Sequence, residues 1–161
     1  MFAKWLKKWQ PYLLFCALTL GVGTLSAFFT RGNTSIYDEI ITPPLEPPSF
    51  LFPIVWGILY LLLGIGAARV FRVRETNPAG ARDAFAFFGM NLFVNFAWSI
   101  LFFNCRAFWF SFIWLLLLLA LTVRMAIAFR KLDKIAGYLQ IPYILWVIFA
   151  GYLTLGIAIL N

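Results

Sequence analysis

The sequence contains no histidine. That absence removes histidine-based catalytic triads, most zinc and iron sites, and histidine-ligated haem. No metal or cofactor is expected. Charge is also scarce: 12% of the 161 residues are charged, against about 25% in an ordinary soluble domain. Acidic residues number 6 against 13 basic ones, for a net charge of +7 and a pI near 9.8. That balance would suit a nucleic-acid binder. The basic residues, however, sit in short clusters between long apolar runs, as membrane topology requires, so nucleic-acid binding is rejected. Cysteine appears only at Cys16 and Cys105. These fall near opposite faces of the expected bilayer, too far apart for a disulfide. There is no low-complexity segment and no clear internal repeat.

Apolar surface is what the chain has in excess, with 63% hydrophobic and 20% aromatic residues. Five runs are long enough to span a bilayer: about residues 12–30, 50–71, 84–103, 107–129 and 136–160. The expected fold is therefore an all-α integral membrane protein, a single five-helix transmembrane domain. The first run is too long for a signal-peptide core and is read as an uncleaved helix. Its Ala17, Gly21, Gly23 and Ala27 permit close helix packing. Ahead of it, Phe2, Trp5, Leu6 and Trp9 share one helical face, and Lys4, Lys7 and Lys8 the other. This is the pattern of an interfacial anchor. Between the third and fourth runs only Asn104, Cys105 and Arg106 remain, so these helices form an antiparallel hairpin.

Five spans place alternate loops on alternate sides. Of the 13 basic residues, all but Arg31 and Arg106 then share one side. The positive-inside rule puts the N-terminus inside, with the first loop and the C-terminus outside.

The stretch from Tyr37 to Tyr60 organises the rest. Pro43, Pro44, Pro47 and Pro48 stiffen the loop of residues 31–49, and Pro53 lies just inside the following helix. A stiff loop over a helix bundle suits a lid. A plain connector, whose prolines merely end one helix and start another, explains it equally well.

Polar side chains within spans need partners. On the third helix Asn91, Asn95, Trp98, Ser99 and Phe102 share a face. Pro53, Trp56, Tyr60 and Ala67 do so on the second, and Pro142, Tyr143, Trp146, Ala150 and Leu153 on the fifth. These faces converge in the outer half of the bundle, under the loop. An aromatic wall with a few amides and hydroxyls suits a flat, mostly apolar ligand. The plainer alternatives are interhelical hydrogen bonding for the asparagines and an interfacial belt for the tryptophans. Trp146, in mid-span, fits the belt poorly.

The motifs YDEI, PPSFLFPIVWGILYLLLG, NLFVNFAWSILFF and LQIPYILWVIFAGYL follow one another in order. In these the chain resembles the translocator protein family, also called tryptophan-rich sensory protein or peripheral-type benzodiazepine receptor (TspO/MBR). The likeness runs from Tyr37 to Asn161, plus the first helix by position. It implies a five-helix bundle, usually a homodimer, that binds porphyrins, sterols and synthetic benzodiazepine-type ligands beneath the first loop. Carried over by motif, the binding residues are Tyr37, Pro47, Trp56, Asn95, Trp98, Ser99, Trp146 and Ala150. The resemblance further implies that Trp56 and Trp146 serve light- and oxygen-dependent porphyrin breakdown. Two classes of function follow: a receptor, sensor or transporter for tetrapyrroles, or an enzyme that degrades them. The chain departs from the family pattern at Leu45, where a Trp is usual, at Thr42, where a Lys is common, and at Thr154, often Asn. The family's sterol motif, a Tyr followed by a basic residue late in the last helix, is absent.

Overall fold

The computed structural model describes residues 2–161, with side chains from Trp9 onward. The expected faces of Phe2, Trp5 and Leu6 and of Lys4, Lys7 and Lys8 thus lie outside the described side chains. The elements are α1 (Phe2–Thr30), a short α2 (Ile36–Glu39), α3 (Leu51–Val73), α4 (Pro78–Ser99) continued by a π-helical turn (Ile100–Asn104), α5 (Phe108–Leu132), α6 (Lys134–Tyr138) and α7 (Ile141–Leu160). Five stretches among the described residues are long and apolar enough to cross a membrane, with α6 and α7 together making the last.

Some departures from the sequence expectation have a clear local reason. The third span begins at Pro78 rather than near residue 84. Asn77 caps it, its Oδ1 accepting from the Gly80 N–H at 3.0 Å, and Pro78 needs no partner for the N–H it lacks. The last span is interrupted at Leu139–Gln140. Pro142 cannot donate to the carbonyl of Tyr138, so the ladder breaks there and restarts as α7. The third span also ends in a π turn, which no apolar pattern announces.

α1 packs on α3, α4 on α5, and α5 on α7. Close approach of α1 to α3 depends on Gly64, where a Cβ would meet the Cys16 backbone at 2.7 Å. Thr19 uses that approach to donate its hydroxyl to the Tyr60 carbonyl at 2.7 Å. The core is filled by Leu63, Phe102, Leu115, Leu118, Met125, Phe129 and Val147. The outward faces carry Leu13, Phe93, Ile113, Leu145 and Ile159, all exposed. Such a surface is stable only against lipid. Both cysteines are free thiols.

A polar seam crosses the core where α4, α5 and α7 meet. Asn95 Nδ2 donates to the Tyr143 hydroxyl at 2.7 Å, which donates to Asn91 Oδ1 at 3.0 Å. Asn91 Nδ2 donates to Thr122 Oγ1 at 2.8 Å, and that hydroxyl to the Leu118 carbonyl at 2.7 Å. All four side chains are buried, and each is hydrogen-bonded within the seam.

At the basic end, Asp133 joins α3 to the α5–α6 junction. Its carboxylate accepts two bonds from the Arg69 guanidinium, at 3.0 and 2.9 Å, and one from the Ala136 N–H at 2.8 Å. Burial alone would raise the Asp133 pKa. The guanidinium and the Ala136 N–H outweigh that and hold it below the usual carboxylate range.

Candidate functional site

A cavity of about 390 Å³ lies in the half of the bundle beneath the first loop, within the range of small-molecule sites. Phe52, Trp56 and Tyr60 line it from α3, Trp98 from α4, and Trp146 and Ala150 from α7. Phe103 comes from the π turn and Tyr37 from α2. α1 closes the remaining side with Gly23, Ser26, Ala27 and Thr30, and with the exposed Leu20 and Thr24 at its margin.

The rings form a continuous wall. Tyr37 stacks on Phe52 with centroids 5.7 Å apart, and Phe52 meets Trp146 edge-on at 5.9 Å. Trp56 lies 5.8 Å from Tyr60 and 6.1 Å from Tyr143. Trp98 stacks on Phe102 at 5.3 Å. α3 and α7 are thus bridged by large aromatic side chains, with the cavity held open beside them.

The lining includes no Asp, Glu, Lys or Arg. Burial raises the Tyr37 phenol, and the Glu46 carboxylate raises it further, so it stays neutral at ordinary pH. The indole N–H groups of Trp98 and Trp146 are buried with no hydrogen-bond partner. Such a donor costs about 1–3 kcal/mol while unsatisfied. The cavity therefore presents aromatic faces and hydroxyls, with no imidazole, carboxylate or thiolate to hold a metal.

Of the residues singled out from sequence, Tyr37, Trp56, Trp98, Trp146 and Ala150 come together here. Asn95 does not reach the cavity: it is 1% exposed and committed to Tyr143. Ser99 and Pro47 are half-buried and lie off the lining. Sequence reasoning missed the α1 wall. The signal was present, since Gly23, Ser26, Ala27 and Thr30 recur at i, i+3, i+4 and i+7. Gly23 and Ala27 had suggested only tight packing, and Ser26 and Thr30 had not been singled out.

The loop above the cavity is fastened on two sides. On the α7 side, Asn161 Oδ1 accepts from the Ile41 N–H and its Nδ2 donates to the Ile41 carbonyl, both at 2.9 Å. Tyr152 donates to the Pro44 carbonyl at 2.7 Å. Pro43 lies over Gly156, where a Cβ would stand 2.6 Å from the proline ring. On the hairpin side, Arg106 pairs with Glu39 at 2.8 Å and Asn33 donates to Asn104 at 2.9 Å. Asn104 in turn donates to the Phe29 carbonyl at 3.0 Å. Leu45, at the tip, is 80% exposed. It holds φ at 70°, a left-handed conformation unusual for a leucine.

The TspO/MBR family pattern matches residues 15–160. Similar proteins include the tryptophan-rich protein TspO of Chlorobaculum tepidum, 33% identical over 89% of this chain and 91% of its own. The translocator protein of Bos taurus is 30% identical over 91% of this chain and 87% of its own. The tryptophan-rich sensory protein of Cereibacter sphaeroides is 28% identical over 86% and 83%. With five apolar helices, the match makes this an integral, multi-pass membrane protein. The chain belongs to the TspO/MBR family.

Proposed function

We propose that this protein is a membrane receptor or sensor that binds tetrapyrroles and related flat apolar molecules in the cavity beneath its first loop. The observation that carries the reading is the uncharged wall of Tyr37, Phe52, Trp56, Trp98 and Trp146 around one cavity. A flat, mostly apolar ligand would bury its faces against that wall. The names of the relatives, sensory in one and translocator in another, agree with such a role. In this reading the first loop and the C-terminus lie outside, because all basic residues but Arg31 and Arg106 fall toward the other face. The protein acts as a homodimer.

Titration of purified protein with protoporphyrin in the dark tests the reading. Saturable quenching of tryptophan fluorescence is expected, and a purely structural membrane protein would give none. A second reading, light-dependent porphyrin breakdown, is favoured by the presence of both Trp56 and Trp146 in one cavity. Indoles are redox-active, and the site offers no acid–base alternative.

A further inference from the structure

At the opposite end of the bundle, a separate groove of about 570 Å³ runs between the start of α4 and the end of α5. Asn77, Gly80, Asp83 and Phe87 line it from α4, and Arg124, Ile127 and Lys131 from α5. Arg124 stands eight residues before the end of α5, about 12 Å along the axis. It lies inside an apolar span where a charge is costly. No acidic side chain pairs with it among the described residues, and its guanidinium lies 5.9 Å from the Phe87 ring centroid. Lys131 falls seven residues on, on the same face two turns nearer the helix end, and it too makes no ion pair.

We propose that this groove binds an anionic glycerophospholipid, its phosphate between Arg124 and Lys131 and its upper acyl chains against Phe87 and Ile127. Three observations point to lipid. The groove opens on the flank of a membrane span, its lining includes the apolar Phe87, Ile127, Ala128 and Leu132, and its cations straddle the level where a span of 25 residues leaves the hydrocarbon. An arginine at that depth reaches the headgroup layer by extending along the helix. The N-terminal end of α4, positive by its aligned peptide dipoles, lies beside the same space. Asp83, also unpaired, disfavours a doubly charged headgroup and offers an acceptor to a hydroxyl-bearing one. Phosphatidylglycerol meets both conditions.

The test uses the full chain in detergent micelles doped with phosphatidylglycerol or phosphatidylcholine. Retained lipid is counted by native mass spectrometry, and melting temperatures are recorded alongside. Phosphatidylglycerol should be retained and should raise the melting temperature, and phosphatidylcholine should do neither. The double variant Arg124→Gln/Lys131→Gln should bind phosphatidylglycerol roughly tenfold more weakly. Arg82→Gln, which removes a charge off the groove, should bind as the parent does. Ala86→Trp fills the groove with every charge kept, and should also lose the lipid. Melting in phosphatidylcholine alone reports whether each variant is folded. Full retention by both groove variants would overturn the proposal. Equal loss in Arg82→Gln would replace it with diffuse attraction to a basic surface, and equal protection by soluble glycerol phosphate with a free-phosphate site.

Discussion

Asn161 brackets Ile41 with both arms of its amide, accepting from the N–H and donating to the carbonyl at 2.9 Å each. The last residue of the chain thereby pairs with the first loop much as a neighbouring strand would, leaving neither backbone group of Ile41 unmet. Asn161→Ala should release the loop without unfolding the bundle. Hydrogen exchange at residues 40–46 should quicken, and bound porphyrin should dissociate faster, while the melting temperature stays within about 2 °C, as expected for loss of partly exposed bonds. Unchanged exchange would mean that Tyr152 and Glu39 hold the loop by themselves.

Asn95→Leu should destabilise the empty protein and leave ligand affinity nearly intact. The substitution strips the Tyr143 hydroxyl of one donor inside a buried seam. A cost of about 1–2 kcal/mol is expected, because bonds of this kind in bundles are modest. The readout is the ligand-free melting curve beside a porphyrin titration. A large loss of affinity with an unchanged melting curve would place Asn95 in contact with ligand after all.

That case marks what could be read from sequence. The aromatic faces of α3 and α7 were legible because Trp56, Trp146 and Ala150 repeat at helical spacing within apolar runs, and so was the loop that roofs them. Asn95 was not, since an i, i+4 pattern says which residues share a face but not which neighbour that face meets. Gly23, Ser26 and Ala27 were ambiguous for a different reason. Small residues serve close packing and cavity walls alike, and only the position of Tyr60 across from them decides.

Trp56→Phe and Trp146→Phe should each abolish light-dependent alteration of bound protoporphyrin while affinity stays within about tenfold, or 1.4 kcal/mol, because phenyl retains most of the stacking area. The comparison is absorbance under illumination in air against binding in the dark. Undiminished product from the double variant would leave the indoles as walls only.

Asp133→Asn tests the link between α3 and the α5–α6 junction. Asparagine keeps the cap on α6 but loses the charge that Arg69 grips. The folded-state pKa of Asp133 is lowered, so its contribution is full above the unfolded carboxylate value and disappears as pH falls through the folded one. The stability gap between parent and variant should therefore be constant from pH 8 to 5 and close below about pH 4. A gap that persists at the acid end would assign it to packing.

Single cysteines at Ser35 and Glu75, placed in a chain freed of Cys16 and Cys105, test the orientation; both positions are exposed. An impermeant thiol reagent applied from outside should reach position 35 and not 75. The reverse pattern would invert the topology.

The π turn at Ile100–Asn104 carries one more residue than an α-helical turn would hold. In a helix of fixed pitch, one surplus residue swings everything beyond it by about 100°. The swing sets the rotation at which Phe102 is buried against Trp98 and its neighbour Phe103 faces the cavity. The same swing delivers Asn104 to Asn33 and to the Phe29 carbonyl. This corner is accordingly sensitive to chain length more than to composition. Conservative swaps among its apolar residues leave the geometry standing, whereas deleting any single one would rewind the turn, withdraw Phe103 from the wall and unhook the roof in one move.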